Sequence, residues 1–347
     1  MNPMRQTIVL LKFVVVLSLC SGFSVQAQNS ELQADEREAQ SWLKRIQSSA
    51  QKLNYSGTFV YQQANQIRTS RITHVLAGKN EIEKLEILDG NPREYVRKND
   101  EIICYVPETK TLLVEKRVTR DVFPAILAAN PLDLAEFYVV RKAETGRVAG
   151  HACQAIVLEP KDSLRYGYKL WAEKTTGLLL RAQTLNEKHE VVEQIAFTHI
   201  LIGGIDGSRV KPSFLNTSDW RVENTVMSPV SLSGWSVKSL PPGFKKIREV
   251  KRMVSDSSNA NANATSSLQA SFAPRQREVS QMVFSDGLAA ISVFIEPGSQ
   301  SRTEGSLQQG ALNIVGKRQG DFWLTIMGEV PSAAIRQVAN SIEFKSK

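Results

Sequence analysis

The chain has 347 residues and a formal net charge of +8. This length exceeds what one compact core usually holds, so it excludes a lone small domain and favours two domains. The basic excess is uneven, because residues 236–347 hold 14 basic and 9 acidic side chains whereas residues 28–235 hold 27 and 26. A basic C-terminal part suits an acidic peptide, a phosphorylated glycolipid or a membrane surface, or it serves solubility alone.

Residues 1–27 carry the parts of a secretory signal peptide. Arg5 and Lys12 precede or open the apolar run 13–19, and Val25 and Ala27 occupy the two positions that a signal peptidase reads. The run is too short to span a bilayer as a permanent helix. We therefore expect an exported chain that starts near residue 28. A lipidated cysteine needs a small residue before it, and Leu19 precedes Cys20, so we expect no lipid at that position.

Two cysteines remain in the mature chain, Cys104 and Cys153, each in an apolar, strand-like run. In an oxidising compartment such a pair is more often a disulfide than two free thiols. The alternative is two buried, unpaired thiols, since free cysteine packs as a small apolar side chain. The sequence does not decide between the two.

An amphipathic helix opens the mature chain, and strands follow. In residues 35–53 the apolar positions recur at intervals of three and four, which gives one apolar stripe. Short segments rich in β-branched and aromatic residues come next, separated by polar turns. These predicted strands cover residues 56–62, 68–76, 82–88, 102–106, 111–115, 153–158, 166–172, 178–185 and 191–200. Together they predict a strongly curved antiparallel sheet that holds helices in its concavity.

Residues 121–140 differ from the strands around them. Large apolar side chains crowd around Pro124 and Pro131, and proline disfavours a central strand. We therefore predict short helices or a flap across the sheet. Such a segment either plugs the core, which is the commoner use of large apolar residues, or acts as a lid that contacts a ligand.

A second domain is predicted after an interdomain linker at residues 211–234, which carries Pro212 and Pro229 and few apolar runs. Residues 235–347 contain two hairpin patterns and a helix at 331–342, which predicts a small antiparallel sheet with one covering helix. Residues 255–271 are mostly Ser, Asn and Ala, which is typical of a flexible loop. The overall fold class is therefore α+β.

Motifs for catalysis are missing from the sequence. It has no Gly-x-Ser-x-Gly, no phosphate-binding glycine loop and no dinucleotide fingerprint. The four histidines and the cysteines lack the close pairs that a zinc site needs. No basic–aromatic surface for nucleic acid is evident. We therefore expect a binding protein without cofactor or metal, with an uncharacterised hydrolase as a minority alternative.

Several strings, taken in order, resemble the MucB/RseB family of periplasmic sigma-E regulators. They run through both predicted domains, roughly from residue 42 to residue 342, and the Ser/Asn/Ala loop is the main departure. The strings are Tyr55-Ser56-Gly57-Thr58-Phe59-Val60-Tyr61, Glu83-Lys84-Leu85-Glu86-Ile87-Leu88-Asp89-Gly90, Val148-Ala149-Gly150-His151-Ala152-Cys153, Leu164-Arg165-Tyr166-Gly167-Tyr168-Lys169-Leu170-Trp171 and Asp286-Gly287-Leu288-Ala289-Ala290-Ile291-Ser292-Val293-Phe294.

The resemblance implies a fold and a function. Residues 28–210 would form a half-barrel like that of the lipoprotein carrier LolA, and residues 235–347 a smaller α+β domain. The protein would act in the periplasm, bind the periplasmic domain of an anti-sigma factor of the RseA/MucA type and protect it from regulated proteolysis. Lipopolysaccharide or a related envelope signal would release it. Self-association into a homo-oligomer stays open, and the alternative function is a LolA-type carrier of lipids or lipoproteins.

A curved sheet with a movable cover offers apolar area for acyl chains. The candidate lipid-pocket residues are Phe123, Ile126, Leu127, Leu134, Phe137 and Trp171.

Overall fold

The computed structural model describes residues 35–116, 123, 126–127, 131–225, 228–229, 232, 234–255, 276–298 and 302–345. The predicted signal peptide and nearly all of the predicted loop at 255–271 lie outside these residues. Three α-helices are described: α1 at residues 35–52, α2 at Pro131–Phe137 and α3 at Ser332–Asn340. Among the described residues no helix is long and apolar enough to cross a membrane.

The larger sheet has twelve strands and dominates the N-terminal part. Its strands are β1 (Tyr55–Gln63), β2 (Gln66–Ala77), β3 (Asn80–Ile87), β4 (Arg93–Lys98), β5 (Glu101–Val106), β6 (Thr111–Lys116), β7 (Tyr138–Val148), β8 (His151–Pro160), β9 (Gly167–Glu173), β10 (Leu179–Leu185), β11 (Val191–Ile202) and β12 (Arg221–Thr225). Their spatial order is β12-β6-β5-β4-β3-β2-β1-β11-β10-β9-β8-β7. Every pairing is antiparallel except that of β12 with β6.

This sheet is strongly curved. Three strands separate β7 from β11 in the hydrogen-bonded order, yet Cα atoms of β7 come within 8 Å of β11. A flat sheet would hold these two strands nearly 20 Å apart, at about 4.8 Å per strand. The predicted half-barrel is therefore confirmed.

Helix α1 lies in the concavity of this sheet. Its buried positions Ala39, Trp42, Leu43, Ile46 and Ala50 follow the predicted spacing of three and four, and they join one hydrophobic core with the inward side chains of the strands. Hydrogen bonds also attach α1 to the turn between β9 and β10. The Arg45 guanidinium donates to the carbonyl oxygens of Lys174 and Thr175 at 2.9 and 3.1 Å.

The second sheet has seven strands and its own core. Helix α3 covers it with Ala334, Ile335, Val338 and Ala339, all buried against strand residues such as Leu324. The C-terminal strands are β13 (Ser228–Pro229), β14 (Trp235–Val237), β15 (Lys245–Ser255), β16 (Gln276–Ser285), β17 (Ala290–Pro297), β18 (Gly305–Gln309), β19 (Leu312–Gln319), β20 (Phe322–Gly328) and β21 (Ile342–Phe344). The seven-stranded order is β13-β15-β16-β17-β20-β19-β18, and β14 pairs with β21.

The segment predicted as a linker, 211–234, takes part in both sheets. Strand β12 pairs in parallel with β6, and β13 pairs with β15. Aromatic contacts anchor the first half: the ring of Phe214 lies 6.0 Å from Tyr105 and 5.4 Å from Trp220. Isolated aromatic residues between polar ones carry no periodic signal, which is why the pattern indicated a plain connection.

Besides β12, two strands of the larger sheet, β4 and β7, were not predicted, because they are rich in charged residues. In the structure, side chains of opposite charge on β3 neutralise the charged residues of β4. The Arg97 guanidinium donates to Glu81 and Glu83 on β3 at 2.8 and 3.2 Å, and Lys84 pairs with Glu94 at 3.4 Å. Cross-strand pairs of opposite charge let such residues occupy a sheet.

The alternative of a disulfide is wrong, and Cys104 and Cys153 are free buried thiols. Cys104 lies on β5 and Cys153 on β8, and seven strands separate β5 from β8 in the sheet. A disulfide needs Cα atoms within about 7 Å. Burial raises the pKa of the Cys153 thiol to about 11, so it stays protonated at neutral pH and is a poor nucleophile.

We expect Gly57→Ala to destabilise the larger sheet. A Cβ at this position of β1 would lie 2.6 Å from the carbonyl oxygen of His199 and 2.7 Å from Phe197 on β11, and the backbone oxygen cannot move aside cheaply. The free energy of unfolding should fall by about 1–3 kcal/mol in urea denaturation. Gly207→Ala is the control, because nothing lies within 4 Å of the added methyl. Equal stability of both variants would contradict this packing.

Candidate functional site

The concave face of the half-barrel is an apolar hollow. Alternation along the strands sends Phe59, Leu170, Ala182 and Phe197 to this face, where all are buried. The side-chain amide of Gln47 on α1 donates to the carbonyl oxygen of Leu127 at 3.1 Å, which ties the helix to the segment that precedes α2. The hollow is thus covered by two elements of the chain itself.

Three aromatic rings meet at the bottom of the hollow. Phe123 lies 5.5 Å from Phe59 and 5.1 Å from Phe197, and Phe59 lies 5.9 Å from Phe197. Ring centroids at these separations pack favourably in tilted or edge arrangements. Phe123 and Leu127 therefore fill part of the hollow with side chains of the protein itself.

The six candidate pocket residues do not form one group. Phe123, Leu127 and Leu134 are buried in the core of the hollow, at 4, 3 and 0 % exposure. Ile126 is half-buried and lines a crevice between the two sheets. Phe137 ends α2, and its ring lies under the guanidinium of Arg165, 4.8 Å away.

Trp171 lies apart from the other five. It follows Leu170 on β9, so its side chain projects from the opposite face of the sheet. There its ring nitrogen donates to Gln183 at 3.2 Å, and the charged ends of Lys169 and Arg181 lie 5.1 and 5.7 Å from the ring. These contacts give Trp171 a role in packing the outer face of the sheet.

The joint between the two parts of the protein centres on Arg165. This side chain comes from the loop between β8 and β9 and is 1 % exposed. Its Nη1 donates to Asp286 Oδ2 at 2.7 Å, its Nη2 to the carbonyl oxygen of Pro242 at 2.5 Å, and its Nε to Asp162 Oδ1 at 3.2 Å. The guanidinium also faces the ring of Phe244 at 5.6 Å. Asp286, Pro242 and Phe244 all belong to the C-terminal part, so one arginine binds both domains.

The turn around Asp286 positions its carboxylate to accept a hydrogen bond from Arg165. It opens the turn between β16 and β17, where its Oδ1 accepts the backbone N–H groups of Leu288 and Ala289 at 3.0 and 2.8 Å. Its Oδ2 accepts Arg165 and the hydroxyl of Tyr138, the latter at 3.3 Å. Burial and then the Asp286 charge raise the pKa of Tyr138 well above its usual value, so the phenol stays a donor. Every lone-pair region of the carboxylate is used, which is the condition for a buried charge to be tolerated.

Reciprocal contacts extend the joint on both sides. Leu164 of the N-terminal part packs against the C-terminal core, and Leu288 of the C-terminal part packs against the core of the hollow. The side-chain amide of Asn313 donates to the hydroxyl of Tyr166 at 3.1 Å and to the carbonyl oxygen of Val330 at 2.9 Å. The two domains therefore share polar and apolar contacts over several elements.

Beside the joint lies a crevice of about 400 Å³ between the two sheets. One wall is a row of polar side chains on neighbouring strands, because Tyr168 on β9 lies opposite Thr184 on β10, which lies opposite Glu193 on β11. Glu329, which follows β20, lines the other wall. Burial and then the charge of Glu329 raise the pKa of Glu193 to about 7. Glu329 itself is exposed.

Comparison with known proteins assigns the chain to a family. Residues 38–215 match the model for the MucB/RseB N-terminal domain, and residues 229–343 match the model for the MucB/RseB C-terminal domain. The chain belongs to the MucB/RseB family. The resemblance seen in the sequence is thereby confirmed.

Curated relatives of this family are named as regulators of sigma factors. The sigma factor AlgU regulatory protein MucB of Pseudomonas aeruginosa is 28 % identical over 316 residues, which cover 88 % of this chain and 90 % of MucB. The sigma-E factor regulatory protein RseB of Haemophilus influenzae is 23 % identical over 318 residues, which cover 90 % of this chain and 93 % of RseB.

Solved structures of MucB share the fold. A crystal structure of MucB in complex with MucA(peri) has a TM-score of 0.64 and 27 % identity, and the match covers 89 % of this chain and 100 % of that one. The Pseudomonas aeruginosa MucA/MucB complex has a TM-score of 0.66 at 26 % identity, over 89 % of this chain and 100 % of that one. The likeness of this MucB/RseB chain thus extends through both domains.

The joint was not recognised from the sequence, although both partners lie in strings that resemble the family. In the sequence, Asp286 and Arg165 stand out only as members of those strings. The two residues are 121 positions apart, and no local pattern pairs them. Among the described residues no group of three or more His, Cys, Asp or Glu side chains could hold a metal ion.

We expect Arg165→Met to uncouple the two domains of this MucB/RseB protein. The variant leaves the carboxylate of Asp286 buried without its cation, which costs about 3–5 kcal/mol of stability. Differential scanning calorimetry should show a lowered and split unfolding transition. Arg141→Met is the matched control, since Arg141 forms an exposed pair with Glu159 that is worth about 0–1 kcal/mol. A single transition at the wild-type temperature would contradict a coupling role for Arg165.

Proposed function

We propose that this chain is a negative regulator of a sigma-E-type envelope stress response. In this proposal it resides in the periplasm, binds the periplasmic domain of an RseA/MucA-type anti-sigma factor and protects that factor from regulated proteolysis. Lipopolysaccharide or a related envelope signal releases it. The protein acts by binding and not by catalysis.

One observation carries the proposal: the match to MucB in complex with MucA(peri) spans 89 % of this chain at a TM-score of 0.64. A similarity restricted to the half-barrel would suit a simple carrier equally well. Here the match includes the second domain too, and a carrier needs only the hollow. The basic excess of residues 236–347 also suits an acidic segment of a partner or the phosphates of a glycolipid.

The filled hollow supports release by a lipid. Phe123 and Leu127 occupy the apolar space together with α1, so an acyl chain must displace them to enter. A ligand shifts an equilibrium only when it binds one arrangement better than the other. A lipid that binds only the opened hollow meets this condition. Displacement of Phe123 and Leu127 would also shift Phe137 further along the chain, and Phe137 contacts the guanidinium of Arg165.

We expect the mature protein to bind the periplasmic domain of the anti-sigma factor from its own organism. Isothermal titration calorimetry should give a stoichiometric complex, and added lipopolysaccharide should weaken it. In limited proteolysis the complex should protect the anti-sigma domain, and lipopolysaccharide should remove the protection. An absence of binding with and without lipopolysaccharide would overturn the proposal. Capture of lipoproteins alone from a periplasmic extract would favour the LolA-type carrier.

We expect Leu127→Gln to abolish the response to lipopolysaccharide, because a polar side chain in the hollow opposes burial of acyl chains. Binding of the anti-sigma domain should persist, provided that circular dichroism shows an intact fold. Leu76→Gln is the control, since Leu76 is 39 % exposed on β2. A folded Leu127→Gln protein that is still released by lipopolysaccharide at the wild-type concentration would remove Leu127 from the ligand site.

A further inference from the structure

We propose that the crevice between the two domains is a binding site for a small aliphatic ammonium ion, held by Glu193, Glu329 and Tyr168. This site adjoins the apolar hollow, since Ala182 and Ile126 line it, and it does not depend on the proposed function. It combines acidic groups from both domains with apolar walls, and each part of the argument rests on a different feature of the crevice.

The first feature is a pair of acidic groups without a cation. Among the described residues neither Glu193 nor Glu329 forms an ion pair, and Glu193 accepts hydrogen bonds only from uncharged groups, the amide of Gln63 at 3.3 Å and the hydroxyl of Tyr61. Glu193 is half-buried and Glu329 is exposed, whereas Glu83 and Glu94 of the larger sheet each have a basic partner. Burial and then the charge of Glu329 raise the pKa of Glu193. A bound cation would balance the charge of the two carboxylates.

The second feature is the hydroxyl of Tyr168. This side chain is 8 % exposed and lines the crevice, and within the described part of the chain its hydroxyl makes no hydrogen bond. The hydroxyl is therefore available to donate or accept a hydrogen bond within the crevice. The register places Tyr168 two strands from Glu193 on the same face, about 10 Å apart at the backbone. Their side-chain ends therefore border one space.

The third feature decides the class of cation. An alkylammonium group carries three N–H donors, which matches one oxygen from each of Glu193, Glu329 and Tyr168. Calcium takes six to eight oxygen ligands, and the crevice offers two carboxylates. Its remaining walls are apolar, with Ile126, Ile195, Leu288, Leu312 and Met327 among the lining residues. The volume of about 400 Å³ lies in the range of small-molecule sites. An ammonium ion with a short aliphatic body suits both kinds of wall.

Neighbouring charged and titratable groups set the pH dependence. Tyr61 lies beside Glu193 on β1, with Arg68 on β2 nearby, and burial keeps the pKa of Tyr61 above its usual value. Burial also raises the pKa of Tyr166 and Tyr168, so both stay neutral. Of the groups in the crevice, Glu193 thus titrates near neutral pH, because its pKa is raised to about 7. Affinity for an ammonium ion should rise as Glu193 ionises, from pH 6 to pH 8.

Isothermal titration calorimetry on the mature protein tests the site with hexylammonium chloride and with N-acetyl-lysine methylamide. These two probes distinguish a free amine from a lysine side chain, and binding of either one supports the site. Hexyltrimethylammonium, which has no N–H donors, and 1-hexanol, which has no charge, should bind on the order of tenfold more weakly than hexylammonium. This comparison needs no variant.

Glu193→Gln combined with Glu329→Gln should lower the affinity for the better probe on the order of tenfold or more and remove its dependence on pH. Leu76→Gln, which alters an exposed position on β2, should leave it unchanged. Three results would overturn the proposal: no binding of either probe, equal binding of hexylammonium and 1-hexanol, or an affinity that the double variant retains.

Discussion

A guanidinium with no access to water must find all its partners within the protein, and for Arg165 most of these lie in a different domain from the arginine. Arg165 and Asp162 come from the half-barrel, whereas Asp286, Pro242 and Phe244 come from the C-terminal part. Removing Arg165 would leave the carboxylate of Asp286 buried without a cation, so the second domain does not satisfy that charge by itself. The relative position of the two domains follows from this constraint, because the bonds of Arg165 have the fixed geometry of a planar fork.

This fixed joint connects the hollow to the second domain. Phe137, at the end of α2, packs on the guanidinium, and the same short region of chain supplies Phe123 and Leu127 to the core of the hollow. A ligand that opens the hollow would therefore disturb the side of the joint on which Arg165 rests. In the proposed function this is the physical route by which a lipid signal in one domain alters a partner bound by both.

The periodic parts of the fold could be predicted from the sequence. The apolar stripe of residues 35–53 predicted α1 nearly to its last residue, and the meander from β8 to β11 followed from alternation and turns. Charge-rich strands such as β4 were missed because their ion pairs form across strands. The part played by 211–234 in both sheets was missed because single aromatic residues have no period. The disulfide alternative was wrong because the strand order of the sheet, which the sequence pattern does not show, places seven strands between the two cysteines.

The candidate site was less accessible to prediction. Crowding of apolar residues around two prolines pointed to Phe123 and Leu127, which do lie in the hollow. The sequence pattern could not show that the side chain of Trp171 projects from the face opposite the hollow, because it does not show which face of β9 packs against α1. Arg165 and Asp286, separated by 121 positions, belong to loops with no shared pattern. Contacts between distant loops need the fold before they can be seen.

The Arg165 joint makes the two domains one rigid unit. Pulsed electron paramagnetic resonance between spin labels at Lys79→Cys and Arg336→Cys measures this rigidity directly, since both positions are exposed and lie in different domains. The buried native cysteines are replaced by alanine for this purpose. We expect a single narrow distribution of the distance between the two labels in the free protein, and a broad distribution when Asp286→Asn is added. A broad distribution in the protein with an intact joint would contradict this expectation.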